Sequence, residues 1–155
     1  MDADRDLNVD DRRFFEQLVE QMDDAVLFAD REGTIRYWNE SAERVFGFDA
    51  EEAVGSPMDL IIPERFREAH WAGYERAMGA GESPYGPGEL LSVPARHAED
   101  ERISAELTIT AIRDAEGDLA GLAAVCREVT ERFERERERE QRIEELEAKV
   151  EELSE

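Results

Sequence analysis

Residues 25–55 run AVLFADREGTIRYWNESAERVFGFDAEEAVG. Ala25 to Asp30 is strand-like and Arg31-Glu32-Gly33 is a turn. Thr34 to Trp38, with β-branched and aromatic residues, is a second strand, so the stretch opens with a hairpin. Asn39 then begins a short helix with Ala42, Val45 and Phe46 turned inward and Gly47 as its stop. Asp49 caps a second short helix, Ala50 to Val54, ended by Gly55.

On the N-terminal side, residues 1–10 are polar and expected to fray. Asp10 or Asp11 caps a helix running to about Met22, with Phe14, Phe15, Leu18, Val19 and Met22 on one apolar face. That face must dock on the domain or on a second copy of the chain.

On the C-terminal side, Pro57 and Pro63 bracket a short piece, and Pro63 suits the first turn of the next helix. This longer helix is expected to reach Met78 and to stop at Gly79 or Gly81. Phe66, His70, Tyr74 and Ala77 recur along it at spacings of four, four and three, flanked by Ala69 and Gly73, which puts His70 on the apolar stripe. A histidine there is a surface residue, a satisfied core residue or an iron ligand, and spacing alone does not choose. Three further strands are expected at Glu89 to Val93, Ile103 to Ile112 and Leu119 to Cys126. In the second of them Ile103, Ala105, Leu107, Ile109 and Ala111 alternate onto one face, and residues 114–118, DAEGD, form a hairpin turn.

From Arg127 the composition changes. Ile143, Leu146, Val150 and Leu153 are spaced by three, four and three, an a/d heptad seam. Carried backwards, the frame puts Val129, Arg132, Glu136 and Arg139 at core positions, so the middle of the seam is weak. The expected division is a tail and amphipathic helix over 1–22, a domain over 23–128 and a coiled-coil helix over 129–155.

A chain of 155 residues makes one compact domain plus an extension. Its 41 acids against 19 bases give a formal charge of -22, which repels nucleic acid and anionic membranes. Apolar residues at 41% and clear periodicity argue against disorder. A folded protein with a heavily hydrated carboxylate surface, as in a halophilic, high-salt cytoplasm, fits better. The single Cys126 rules out an internal disulfide and a cysteine-based zinc site. No apolar run approaches ~18 residues, and the start has no apolar signal segment, so a cytoplasmic location without a membrane span is expected. No triad, P-loop or paired-carboxylate arrangement stands out, so enzyme activity is not expected.

The stretch NESAERVFGFDAEEAVG and the exit REVTER together resemble the PAS family over about residues 14–135. The family pattern has an Asn-rich start to the first short helix, a Gly-aromatic-x-x-Glu-Glu-x-x-Gly run, and an acidic-hydrophobic-Thr-Glu exit into a signalling helix. The resemblance implies an α+β fold, a five-stranded antiparallel sheet with short helices on one face enclosing a pocket, plus an N-terminal helix and a C-terminal coiled coil. The flavin-photoadduct subclass needs a cysteine on the helix after the second strand, and here Cys126 is on the last strand.

The haem-binding subclass of oxygen-sensing kinases is more similar. There a Pro-Glu helix start precedes the proximal histidine by seven positions, as Pro63 precedes His70. The resemblance implies haem b with His70 as metal ligand, Arg76 near a propionate, and Leu107 and Ile109 on the distal wall. Tyr74 and Leu122 complete the expected cofactor-binding set. Where those kinases place an arginine donor, this chain has Glu89, which cannot donate a hydrogen bond. His97, the other histidine, is expected to be exposed. The functional expectation is a sensor of a diatomic gas or redox state. It acts as a homodimer and passes the change to a downstream output domain or protein. The alternatives are another small ligand, or a ligand-free PAS dimerisation and protein-interaction module.

Overall fold

The computed structural model describes residues 9–86 and 88–154. In chain order the elements are α1 (Asp11–Gln21), β1 (Ala25–Asp30), β2 (Ile35–Trp38), α2 (Glu40–Phe46), α3 (Ala50–Ala53), a 3-10 turn (Met58–Ile61), α4 (Glu64–Ala80), β3 (Leu91–Arg96), β4 (Arg102–Arg113), β5 (Leu119–Glu128) and α5 (Thr130–Leu153). The five strands form one antiparallel sheet in the order β2-β1-β5-β4-β3. This is the expected α+β architecture.

Local chemistry sets most boundaries. Asp10 accepts from Arg13 N and starts α1. Asn39 accepts from Ala42 N and starts α2, which Gly47 ends in the left-handed conformation at φ 81°. Asp49 accepts from Glu52 N and starts α3. Glu43 accepts from Ala50 N at 2.7 Å, so the two short helices are tied across their joint.

Strand pairing sorts side chains between two faces. Ala25 lies opposite Cys126, Leu27 opposite Ala124 and Ala29 opposite Leu122. On the other side of β5, Leu107 lies opposite Cys126, Ile109 opposite Ala124 and Ala111 opposite Leu122. Leu91 of β3 lies opposite Leu107. These residues share the inner face, under α2 to α4. There a main core gathers Leu27, Ile35, Trp38, Phe46, Phe48 and Cys126, and a second cluster joins Ala29, Leu119, Tyr74, Ala77 and Met78. Val26, Phe28, Thr108, Thr110, Ala123 and Val125 fall on the outer face.

Four expectations are corrected. β3 starts at Leu91, not Glu89, because Glu89 closes a turn on Gly86: its N–H donates to Gly86 O at 3.1 Å and its carboxylate accepts from Gly86 N. Pro63 stands at the N-cap rather than in the first turn. His97 is half-buried rather than exposed, because its ring lies over Gly47, and Ala98 N–H donates to Phe46 O at the end of α2. Ala69, placed beside the stripe of α4, is exposed. The frayed start read for residues 1–10 falls mostly outside the described residues, as does the side chain of Arg132 in the heptad frame.

α5 leaves the domain as a single helix. Val129 N–H donates to Ser104 O at 2.8 Å, and Thr130 Oγ1 accepts from Ser104 N at 2.9 Å, fastening its start to β4. Beyond that, Ile143, Leu146, Val150 and Leu153 are 48%, 46%, 63% and 87% exposed, so the seam has no cover from its own domain. Among the described residues, no helix is long and apolar enough to cross a membrane.

Candidate functional site

α4 is held at both ends, and His70 lies between the anchors. Near its start, Arg67 donates to Ile62 O at 3.0 Å and to Asp59 O at 3.2 Å, and Trp71 donates its indole N–H to Asp59 Oδ1 at 2.7 Å. These bonds join the helix to the 3-10 turn. Further along, Tyr74 Oη donates to the carbonyls of Ala29 at 3.1 Å and Asp30 at 2.6 Å, while Ala77 and Met78 pack on Leu119 and Ala29. Burial of the phenol and the nearby Asp30 carboxylate push the Tyr74 pKa up to about 12, so it stays a neutral donor.

The His70 ring meets Trp71 edge-on, with centroids 5.0 Å apart, and stacks on Tyr74 at 5.8 Å and 30°. Its Nδ1 is buried with no hydrogen-bond partner among the described residues. Buried polar atoms are nearly always paired, so an orphan of this kind marks a contact the folded chain does not itself supply. Burial disfavours the imidazolium and lowers the His70 pKa below its ordinary value, with Asp59 opposing the shift. The ring is therefore neutral near pH 7, the form that coordinates metals.

The inner face of the sheet presents aliphatic side chains, of which Leu122 packs against α4. Leu91, Leu107, Ile109 and Leu122 are all on the inner face and only half-buried, whereas Ala105, Ala124 and Cys126 beside them are buried. The structure unites His70 with Tyr74 through ring stacking, and Tyr74 with Leu122 through the second apolar cluster. Leu107 and Ile109 pack on the main core. Arg76 is exposed, with its guanidinium lying along Gly73 on the helix surface. Glu89 and Tyr85 are exposed in the loop before β3.

Leu91 and Asp59 belong to this region and were not singled out from sequence. The alternation that ends in Ala95 could have exposed Leu91, but nothing local marks Asp59. Two open clefts lie elsewhere. One of about 610 Å³ is lined by Asp30, Arg31, Met78, Arg113 and Leu119, and another of about 360 Å³ runs along α1 beside Phe14, Leu18 and Met22. Neither is lined by His70. Among the described residues, no group of three or more His, Cys, Asp or Glu side chains is placed to hold a metal ion.

Comparison with known proteins agrees with the sheet order and the exit helix. A family model described as PAS fold matches residues 19–134. The chain is 33% identical over 111 residues to an uncharacterized protein of Azorhizobium caulinodans, covering 71% of this chain and 15% of that protein. It is 35% identical over 63 residues to the oxygen sensor protein DosP of Escherichia coli, covering 41% of this chain and 8% of that protein. It thus spans a small part of the length of either relative. The PAS domain structure from Colwellia psychrerythraea superposes with a TM-score of 0.66 at 18% identity, over 79% of this chain and 99% of that one. Sequence match, strand order and the helical exit lead to one conclusion: the chain belongs to the PAS family.

Proposed function

We propose that this PAS signalling module senses a diatomic gas or a redox change through haem b held by His70. The observation that carries the reading is the Nδ1 of a neutral imidazole, buried and without a hydrogen-bond partner among the described residues. Local similarity to an oxygen sensor supports it. Haem, when bound, supplies an iron whose ligation or oxidation state responds to the signal. His70 offers the coordinating nitrogen, and Trp71 and Tyr74 hold the ring in place. Leu91, Leu107, Ile109 and Leu122 exclude water, and Arg76, exposed on the same helix, is the cation assigned to the propionates.

The response travels through β4 and β5. Ser104 of β4 is bonded to both Val129 and Thr130, so a shift of the strand carrying Leu107 reaches the start of α5 directly. It passes along Val125 to Arg127 into the helix. Two copies pair in parallel through Ile143, Leu146, Val150 and Leu153, with Glu136 and Arg139 as the weak, bistable middle. A downstream domain or protein reads the change; the module itself has no enzyme activity. Its carboxylate-rich surface suits a salt-rich cytoplasm.

Absorption spectroscopy tests the reading. Purified protein supplied with haem should show a Soret band, and His70→Ala should lose or shift it. A protein that stays colourless after reconstitution overturns it. The exposed heptad seam favours one other reading, a ligand-free PAS dimerisation and interaction module, which a colourless but stable dimer would support.

A further inference from the structure

Away from His70, the cleft of about 610 Å³ opens where three segments meet: the turn after β1, the C-terminal end of α4 and the hairpin between β4 and β5. That volume is ordinary for a small-molecule site. Its floor is apolar, made by Met78 and Leu119, which are 9% and 2% exposed and belong to the second apolar cluster. Its walls carry charge of both signs. Arg31 and Arg113 each donate through Nη1 to a backbone carbonyl of the hairpin, that of Leu119 and that of Gly117. Among the described residues neither has a carboxylate partner, although the chain has 41 acids. A guanidinium has five N–H groups, so most of their donors stay open, and the anchoring bond limits where each fork can point. The acids divide into two kinds. Asp30 is neutralised by Arg36 at 2.7 Å and also accepts from the N–H groups of Glu32 and Thr34. Asp114 accepts from Glu116 N and Asp118 N within its turn. Glu32 and Asp118, both exposed, have no hydrogen-bond or ion-pair partner for their carboxylates among the described residues.

We infer that this cleft is a second ligand site, separate from His70, and that it takes a small zwitterion with an apolar body, of the α-amino-acid class. Arg31 and Arg113 receive the carboxylate, whose planar pair of oxygens suits a guanidinium fork. Glu32 and Asp118 receive the ammonium, and Met78 and Leu119 take up an aliphatic side chain. The fold keeps the four open charges from satisfying one another: both guanidiniums are drawn onto carbonyls of the hairpin, and the two carboxylates stand on different turns. The charge of the whole chain, -22, disfavours a plain anion, and the two guanidiniums disfavour a plain cation. A ligand bearing both charges meets both sets. Once bound, it joins the two turns to the end of the helix that carries His70. The inference does not depend on the haem reading.

The test is an amide NMR titration of the full, haem-free chain with L-leucine. Saturable shifts should appear at Glu32, at Gly81 and along residues 114–120. Two analogues divide the charges: 4-methylpentanoate lacks the ammonium, and 3-methylbutylamine lacks the carboxylate. Each should bind wild type at least about tenfold more weakly than leucine, the worth of one charge-assisted hydrogen bond. Arg113→Gln and Asp118→Asn should each weaken leucine binding by about the same factor, with ligand-free spectra unchanged away from the hairpin. The analogue arm uses wild type alone, so it stands whatever the variants do to the fold. Absence of saturable shifts with leucine overturns the inference. So does an analogue that binds as well as leucine, or a leucine affinity unchanged in both variants. None of these outcomes touches the Soret band, so the haem reading stands or falls separately.

Discussion

Gly33 and Trp71 share one space: the buried glycine, at φ 80° in the turn between β1 and β2, lies against the indole, and a Cβ there would overlap the ring. The indole has little freedom to retreat, because its N–H is bonded to Asp59 Oδ1 at 2.7 Å. Gly33→Ala combines a left-handed backbone strain with this overlap and should cost about 1–3 kcal/mol. For a chain of this size that lowers the melting temperature by several degrees, roughly 2–4 °C per kcal/mol. Trp71→Phe should reduce the penalty, so a double-mutant cycle should be non-additive. Additive losses would mean that the two residues are not coupled.

His70 carries a stability cost that a ligand would relieve. An unsatisfied buried nitrogen costs about 1–3 kcal/mol, so His70→Phe, of similar volume and without the orphan, should stabilise the haem-free protein by about 1 kcal/mol. Denaturant unfolding reads this directly. A destabilised variant would show that the nitrogen is satisfied in solution.

The same residue predicts a pH dependence. Burial lowers the His70 pKa in the folded chain below its ordinary value of about 6.5. Below that value the unfolded chain binds a proton that the folded chain resists, so stability rises with pH across the window. This contribution is fully present above about pH 6.5 and is lost as the pH falls toward the lowered folded value. The haem-free wild type should therefore lose more stability between pH 7 and 5 than His70→Phe does. Equal slopes for the two proteins would contradict the burial of the ring.

Salt should stabilise both fold and dimer. A formal charge of -22 repels itself, over a Debye length of ~30 Å at ~0.01 M salt and ~3 Å at ~1 M. The effect should be largest in α5, where Glu144, Glu145, Glu147, Glu151 and Glu152 flank the exposed seam. Molar salt should raise the melting temperature and the dimer fraction measured by sedimentation, and removal of residues 136–155 should lower the dimer fraction. A monomer at high salt with the full chain would rule out the parallel coil.

Asn39 should be among the most costly positions to change. It is fully buried, and its Oδ1 accepts from Ala42 N and Val26 N, both at 2.9 Å. Its Nδ2 donates to Val19 O at 2.8 Å and Asp24 O at 3.1 Å. Asn39→Ala removes a helix cap and strands polar groups of α1, β1 and the segment between them, a loss of roughly 3 kcal/mol or more. Amide exchange should show α1 opening first. Protection of α1 unchanged from wild type would argue against this role.

The hairpin of β1 and β2, the cap Asp49, the stop at Gly47, the alternation of β4 and the heptads of α5 were all legible in the sequence, and the cap of α1 was narrowed to Asp10 or Asp11, of which the structure selects Asp10. Each depends on neighbouring dihedrals and on the period of side chains along one segment, and those are properties of consecutive residues. The stripe that includes His70 was legible for the same reason. The start of β3 was not. Both Glu89 and Leu91 can open a strand, and pairing of Leu91 with Leu107 selects one register. Asn39 reads locally as the start of one helix, yet its amide also joins α1 to β1. Nothing near His70 in sequence announces that its Nδ1 lacks a partner among the described residues, or that Thr108 and Thr110 fall on the outer face of the sheet. Those facts belong to the tertiary structure, because desolvation and hydrogen-bond satisfaction are settled by groups that arrive from distant segments: Asp59 from the 3-10 turn, Ala29 from β1, and the aliphatic row from β3, β4 and β5.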